Sequence, residues 1–181
     1  ASGAVVVSLQ ARRLGHGDWD NHKAGQVYFE TYPKTTLAQN NDLQLVAAVI
    51  HAARKTYKID PRRVYIAGFS NGAFFAQFAA MVLADRIAGF ASAAGGLVRC
   101  GGTGSCGFRG TAKTCAALAK QAGWCLCSGR DKPIALVAGK ARRPAAYIAH
   151  SVRDDTVSSY YSCELAARLK KLGHPTKLVL R

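Results

Sequence analysis

Acidic side chains are scarce in this chain: ten Asp and Glu stand against 25 Lys and Arg in 181 residues. Long apolar runs are also missing. The most apolar uncharged stretch, residues 73–84, is too short for a membrane span and is interrupted by Gln77. No basic-then-apolar leader opens the chain, which implies that it never had one or has lost it. There is no Cys-x-x-Cys, which removes the common redox motif. The nearest approach to a zinc-type pair, Cys125-Leu126-Cys127, is one residue too tight. Internal repeats and low-complexity tracts are absent as well. With 49% hydrophobic and 19% charged residues, the composition is that of an ordinary globular domain and excludes disorder.

What is present is basic and cysteine-bearing. The formal net charge is +15, and the cations recur as pairs: Arg12-Arg13, Arg62-Arg63, Arg142-Arg143 and Lys170-Lys171. Along the sequence these pairs are scattered, the pattern of solvated faces rather than of a nucleic-acid-reading block. Five of the six cysteines fall between Cys100 and Cys127, and the sixth is Cys163. An even count in a loop-rich stretch points to as many as three disulfides and to a secreted or periplasmic setting. Spacing alone leaves the connectivity open.

Alternation of apolar runs outlines a single α/β domain over residues 1–181, with a parallel sheet and helices on both faces. Residues 3–9 (GAVVVSL) read as a doubly buried strand, followed by a long loop to residue 39. Asn41 reads as an N-cap with Gln44 as its capping-box partner, opening a helix to about Tyr57. Further strands are expected at 64–67, 87–94, 145–150 and 176–180, and further helices at 73–84 and 158–172, the last stopping at Gly173. A cysteine-rich insertion occupies residues 99–130. Strands at both extremes suggest that the domain is incomplete at either end.

Gly68-Phe69-Ser70-Asn71-Gly72 fits the Gly-x-Ser-x-Gly nucleophile elbow, and it lies between a β-branched strand and an apolar helix. That context makes Ser70 the candidate nucleophile. The Asn71 backbone N–H, at the helix N-terminus, is the candidate oxyanion donor. The plainer reading is a glycine-rich turn with a solvent-facing serine. A serine needs a base and an orienting acid. The acid is expected just past a later strand, where Asp154 and Asp155 follow His150. Asp154 is chosen over Asp155, against the alternative of a turn-forming pair that caps the next helix. No histidine fits the base: His174 precedes the last strand, His150 reads as a strand-end packing residue, and His51 lies on a helix flank. His16 and His22 read as loop histidines. The base is therefore expected beyond Arg181.

Residues 59–80 (IDPRRVYIAGFSNGAFFAQFAA), with 83–97 (LADRIAGFASAAGGL), resemble the secreted polyhydroxyalkanoate-depolymerase and feruloyl-esterase group of α/β-hydrolases. Residues 150–158 (HSVRDDTVS) are similar to that group's His-Gly-x-x-Asp-x-x-Val-Pro acid turn, with Ser151 in place of Gly and Ser158 in place of Pro. The resemblance implies an extracellular carboxylic ester hydrolase with Ser70 as nucleophile, Asn71 as oxyanion donor and Asp154 as triad acid. The Asp-x-x-Val spacing of that turn also favours Asp154. The second oxyanion donor is expected on a segment preceding this chain. The insertion, with Trp19 and Trp124, could shape the substrate pocket or simply pack.

The expected reaction is acyl transfer to Ser70 and hydrolysis of a small or polymeric ester, with no metal or organic cofactor, no specific nucleic acid and no membrane span. A peptidase and a catalytically inactive binding module on the same fold are the alternatives. A basic surface module for anionic polymers is a third reading, resting on charge alone.

Overall fold

The computed structural model describes residues 3–15, 23–31, 36–97, 112–122 and 142–181. Two short strands, β1 (Arg12–Arg13) and β2 (Val27–Tyr28), pair antiparallel and lead to helix α1 (Asn41–Thr56). The rest is β3 (Tyr65–Phe69), α2 (Asn71–Val82), β4 (Gly89–Ala93), α3 (Cys115–Ala122), β5 (Ala145–His150), α4 (Ser159–Lys171) and β6 (Thr176–Leu180). The main sheet is parallel, in the order β3-β4-β5-β6. Each strand joins the edge of the one before it. Right-handed crossovers therefore carry α2 and α4 over the same face.

That face holds the core. Ile66, Phe90, Ile148 and Leu178 point from successive strands into one cluster with Phe74 and Phe78 of α2 and Leu165 and Leu169 of α4. Helix α2 is buried along nearly its whole length, as its lack of a polar stripe requires. Tyr65, Phe69 and Tyr147 lie on the other face and are exposed.

Two local expectations are corrected. Residues 3–9 form no strand: the run is irregular, and Val6 is 84% exposed. β-Branched residues favour strand only where a neighbour supplies ladder bonds and cover, and no described strand pairs with this run. The N-cap of α1 is Asn40, not Asn41. Asn40 Oδ1 accepts from the N–H groups of Asp42 and Leu43, while its Nδ2 donates to the Glu30 carbonyl. Gln44 makes no capping box, because its side chain donates instead to the Ala38 carbonyl. Asn40 takes the position because both ends of its amide are satisfied there.

One disulfide among the described residues, Cys115–Cys163, ties α3 to α4. The other four cysteines lie outside the described residues, as does Trp124.

Candidate active site

Parallel strands end together, so the turns after β3, β4 and β5 share one edge of the sheet. Ser70 follows β3 and adopts φ 51°, ψ −122°, a conformation that L-residues avoid. Its N–H donates to the Ala93 carbonyl at the end of β4, which locks the turn to the neighbouring strand. Ser70 also stands at the N-cap position of α2, yet its side chain makes no cap bond. A serine hydroxyl would ordinarily be spent there; here no hydrogen bond among the described residues holds it.

The two glycines of the motif do different work. A Cβ on Gly68 would overlap the Gly72 carbonyl and lie 2.7 Å from the Ala73 nitrogen, so strand and helix cross too closely for any side chain. At Gly72 the nearest obstacle to a Cβ is Phe29 Cε2, 4.0 Å away. Gly68 is thus the steric requirement.

Asn71 does more than carry a backbone N–H. Its Oδ1 accepts from the Phe29 N–H at 2.7 Å, and its Nδ2 donates to the Phe29 carbonyl at 3.3 Å. Phe29 also stacks on Phe75 of α2, with ring centroids 4.8 Å apart. The following residue, Glu30, is fully buried and bonded to Arg12, which also reaches Asp42. Asp42 Oδ2 in turn accepts from the Glu30 N–H. The segment after β2 is therefore clamped between the start of α1 and the Ser70 turn. Sequence reasoning missed this clamp; the pairing of Arg12 with both Glu30 and Asp42 becomes visible only once the chain is folded.

Asp154 lies in the turn after β5. Its Oδ1 accepts from the N–H groups of Thr156 and Val157, and its Oδ2 is 3.2 Å from His150 Nε2. Asp155 is exposed and meets only the Thr156 hydroxyl through its side chain. Ser70 and Asp154 stand on the same sheet edge with one strand between their own, a separation of roughly 10 Å between strands. One imidazole and its two hydrogen bonds can span such a gap.

None of the described histidines hydrogen-bonds to Ser70. His150 is buried, with Nε2 facing the Val157 carbonyl and Asp154, and Nδ1 2.7 Å from Ser162 Oγ. Ser162 Oγ itself donates to the Gly95 carbonyl at 2.8 Å. Burial pushes His150 below the usual imidazole range, opposed by its contacts with Val157 and Asp154. His174 sits at the opposite edge of the sheet with Nδ1 on the Pro144 carbonyl, and burial also depresses its pKa. His51 is exposed on α1. His16, His22 and Trp19 lie outside the described residues. Among the described residues, no group of three His, Cys, Asp or Glu could hold a metal ion, and no helix is long and apolar enough to cross a membrane.

No family model matches the chain. A stretch of 54 residues, 30% of the chain, is 43% identical to the bifunctional acetylxylan esterase/xylanase of Neocallimastix patriciarum and covers 8% of that protein. Solved structures share the fold. Arabidopsis thaliana SOBER1 superposes with a TM-score of 0.60 at 14% identity, over 94% of this chain and 70% of that one. A thermostable esterase gives 0.53 at 18% identity, over 78% of this chain and 28% of the other. The acylaminoacyl peptidase of Pyrococcus horikoshii gives 0.51 at 15% identity, over 80% and 23%. The parallel sheet with its helices is an α/β-hydrolase fold.

Proposed function

We propose that this α/β-hydrolase-fold chain is a serine carboxylic-ester hydrolase of the secreted depolymerase or feruloyl-esterase kind. The observation that carries the reading is the backbone of Ser70: a non-glycine residue at positive φ, on a strand-to-helix turn that only a glycine at position 68 permits. Ser70 Oγ attacks the ester carbonyl and passes its proton to a histidine other than His51, His150 or His174. The developing oxyanion is met by the Asn71 N–H, one of the first amides of a helix and so without an intrahelical partner. Asp154, pinned by two backbone N–H groups, orients that histidine. The alcohol leaves, and water releases the acid from Ser70.

The partial likeness to an acetylxylan esterase favours an ester carried on a polymer, and the disulfide favours an oxidising, extracellular setting. The peptidase neighbour keeps amide cleavage as the alternative, with a catalytically inactive binding module as the other. Turnover of p-nitrophenyl acetate and of an aminoacyl anilide by the full-length protein separates these readings. Ester turnover that disappears in Ser70→Ala supports the proposal. Faster anilide turnover favours the peptidase, and no turnover of either favours the module.

A further inference from the structure

The cation pairs that look scattered along the sequence converge in the fold. Ala88 N–H bonds to the Val64 carbonyl, Ala145 N–H to Ala88, and Ala146 N–H to Pro175, so the starts of β3, β4, β5 and β6 are aligned. Arg62-Arg63, Arg86, Arg142-Arg143 and Lys170-Lys171 sit in or beside the connections that enter these four strands. Three of the four pairs thus lie at the sheet end opposite Ser70.

Among the described residues, two carboxylates pair with them. Asp60 pairs with Arg62 at 3.4 Å and Asp85 with Arg86 at 3.5 Å. At the Ser70 end the charges are closer to balance, with Asp154 and Asp155 beside Arg153 and Arg181, and with Arg12 held between Glu30 and Asp42.

Helix dipoles explain part of this row. Lys170 and Lys171 close the last turn of α4, where cations are favoured. They do not explain Arg62, Arg63, Arg142 or Arg143, which stand outside any helix. Adjacent strands are about 4.8 Å apart, so the cations form a line of roughly 15 Å across the four strand starts. A line of this kind matches a single flexible chain with charges spaced along it. It does not form the two-railed cradle that a duplex requires. Exposed Tyr65, the first residue of β3, stands at one end of the line.

The geometry points to a polyanion-docking edge for an acidic polysaccharide, remote from the Ser70 turn, that holds the protein on a carboxylate-bearing polymer. The disulfide favours this partner over nucleic acid, because it belongs to an oxidising compartment. The docking edge is independent of the hydrolase reading: it stands or falls on binding, not turnover.

The test measures binding of the full-length protein to polygalacturonate, with duplex DNA, phosphatidylserine vesicles and uncharged dextran alongside. The row variant is Arg62→Gln/Arg63→Gln/Lys170→Gln/Lys171→Gln, all at exposed positions. The control, Lys23→Gln/Lys113→Gln/Lys120→Gln/Arg153→Gln, removes as many exposed cations elsewhere. Polygalacturonate binding is expected to weaken at least tenfold in the row variant at ~50 mM salt, with the log–log salt slope shallower by about 3. The control stays within about threefold of the parent. A row variant that melts early is replaced by Arg63→Gln/Lys171→Gln, for which about half the slope change is expected. Equal losses in both variants, no binding to polygalacturonate, or tighter binding to DNA or vesicles than to polygalacturonate overturns the proposal.

Discussion

His150 Nε2 lies 3.2 Å from Asp154 Oδ2, and its other ring nitrogen lies 2.7 Å from Ser162 Oγ in α4. A buried imidazole at the end of β5 thus connects the acid turn to the helix that packs behind it. Asp154 has its other oxygen filled by two backbone amides, so its carboxylate plane is held from both sides. This is how a turn residue is kept oriented without being buried in the core.

Removing that support should misplace the acid. His150→Ala is expected to lower kcat on a small ester by ~10–100-fold, with KM changed much less. His150→Gln, which keeps a donor toward Asp154, should recover part of the loss. Steady-state kinetics of the two variants check this; an unchanged kcat in His150→Ala contradicts it.

His150 and His174 both have pKa values held down by burial, which sets the sign of the pH dependence. Above the ordinary value of 6.5 both are neutral, folded or unfolded, and stability is at its plateau. As pH falls below that value the unfolded chain takes up protons that the folded one resists, and stability is lost down through the depressed folded values. Urea midpoints between pH 8 and pH 5 should therefore decline on the acid side. A flat profile contradicts the burial of the two rings.

Asn71 acts through its side chain on Phe29, so Asn71→Ala removes both hydrogen bonds and leaves the Phe29 amide groups to find new partners. A cost of about 1–3 kcal/mol is expected, with loosening of the segment after β2. Hydrogen exchange should show faster exchange there than elsewhere. Gly68→Ala meets backbone directly and should prevent the elbow from closing, with loss of soluble protein as the readout.

Cys115 and Cys163 are 48 positions apart. Constraining a loop of that length stabilises a fold by about 4 kcal/mol in the chain-entropy account. Cys163→Ser is expected to lower the urea midpoint accordingly, and dithiothreitol to do the same to the parent protein. The bridge enters α4 next to Ser162, so activity should fall together with stability.

Much of this arrangement is legible in the sequence because local chemistry and tertiary context agree there. The run 73–84 has no polar face, which leaves only a buried helix, and α2 is one. The β-strands after it are short apolar runs, and they fall within a residue or two of where the pattern puts them. Residues 3–9 misled because β-propensity says nothing about whether a partner edge exists. Asn40 and Asn41 are equivalent as residue types, and only the Glu30 carbonyl, ten residues away, distinguishes them. The Arg12–Glu30–Asp42 clamp and the Asn71–Phe29 pair are long-range contacts between a loop and two helix starts, which no local pattern encodes. Convergence of the cation pairs is likewise a consequence of strand order, invisible until the sheet is assembled.

The central claim is that the Ser70 hydroxyl is an activated nucleophile. Its most direct test is reaction of the full-length protein with a fluorophosphonate, followed by peptide mapping. The account predicts one phosphonate per chain on the peptide containing Ser70, and none in Ser70→Ala. Labelling that survives this substitution, or a parent protein that stays unlabelled, contradicts it.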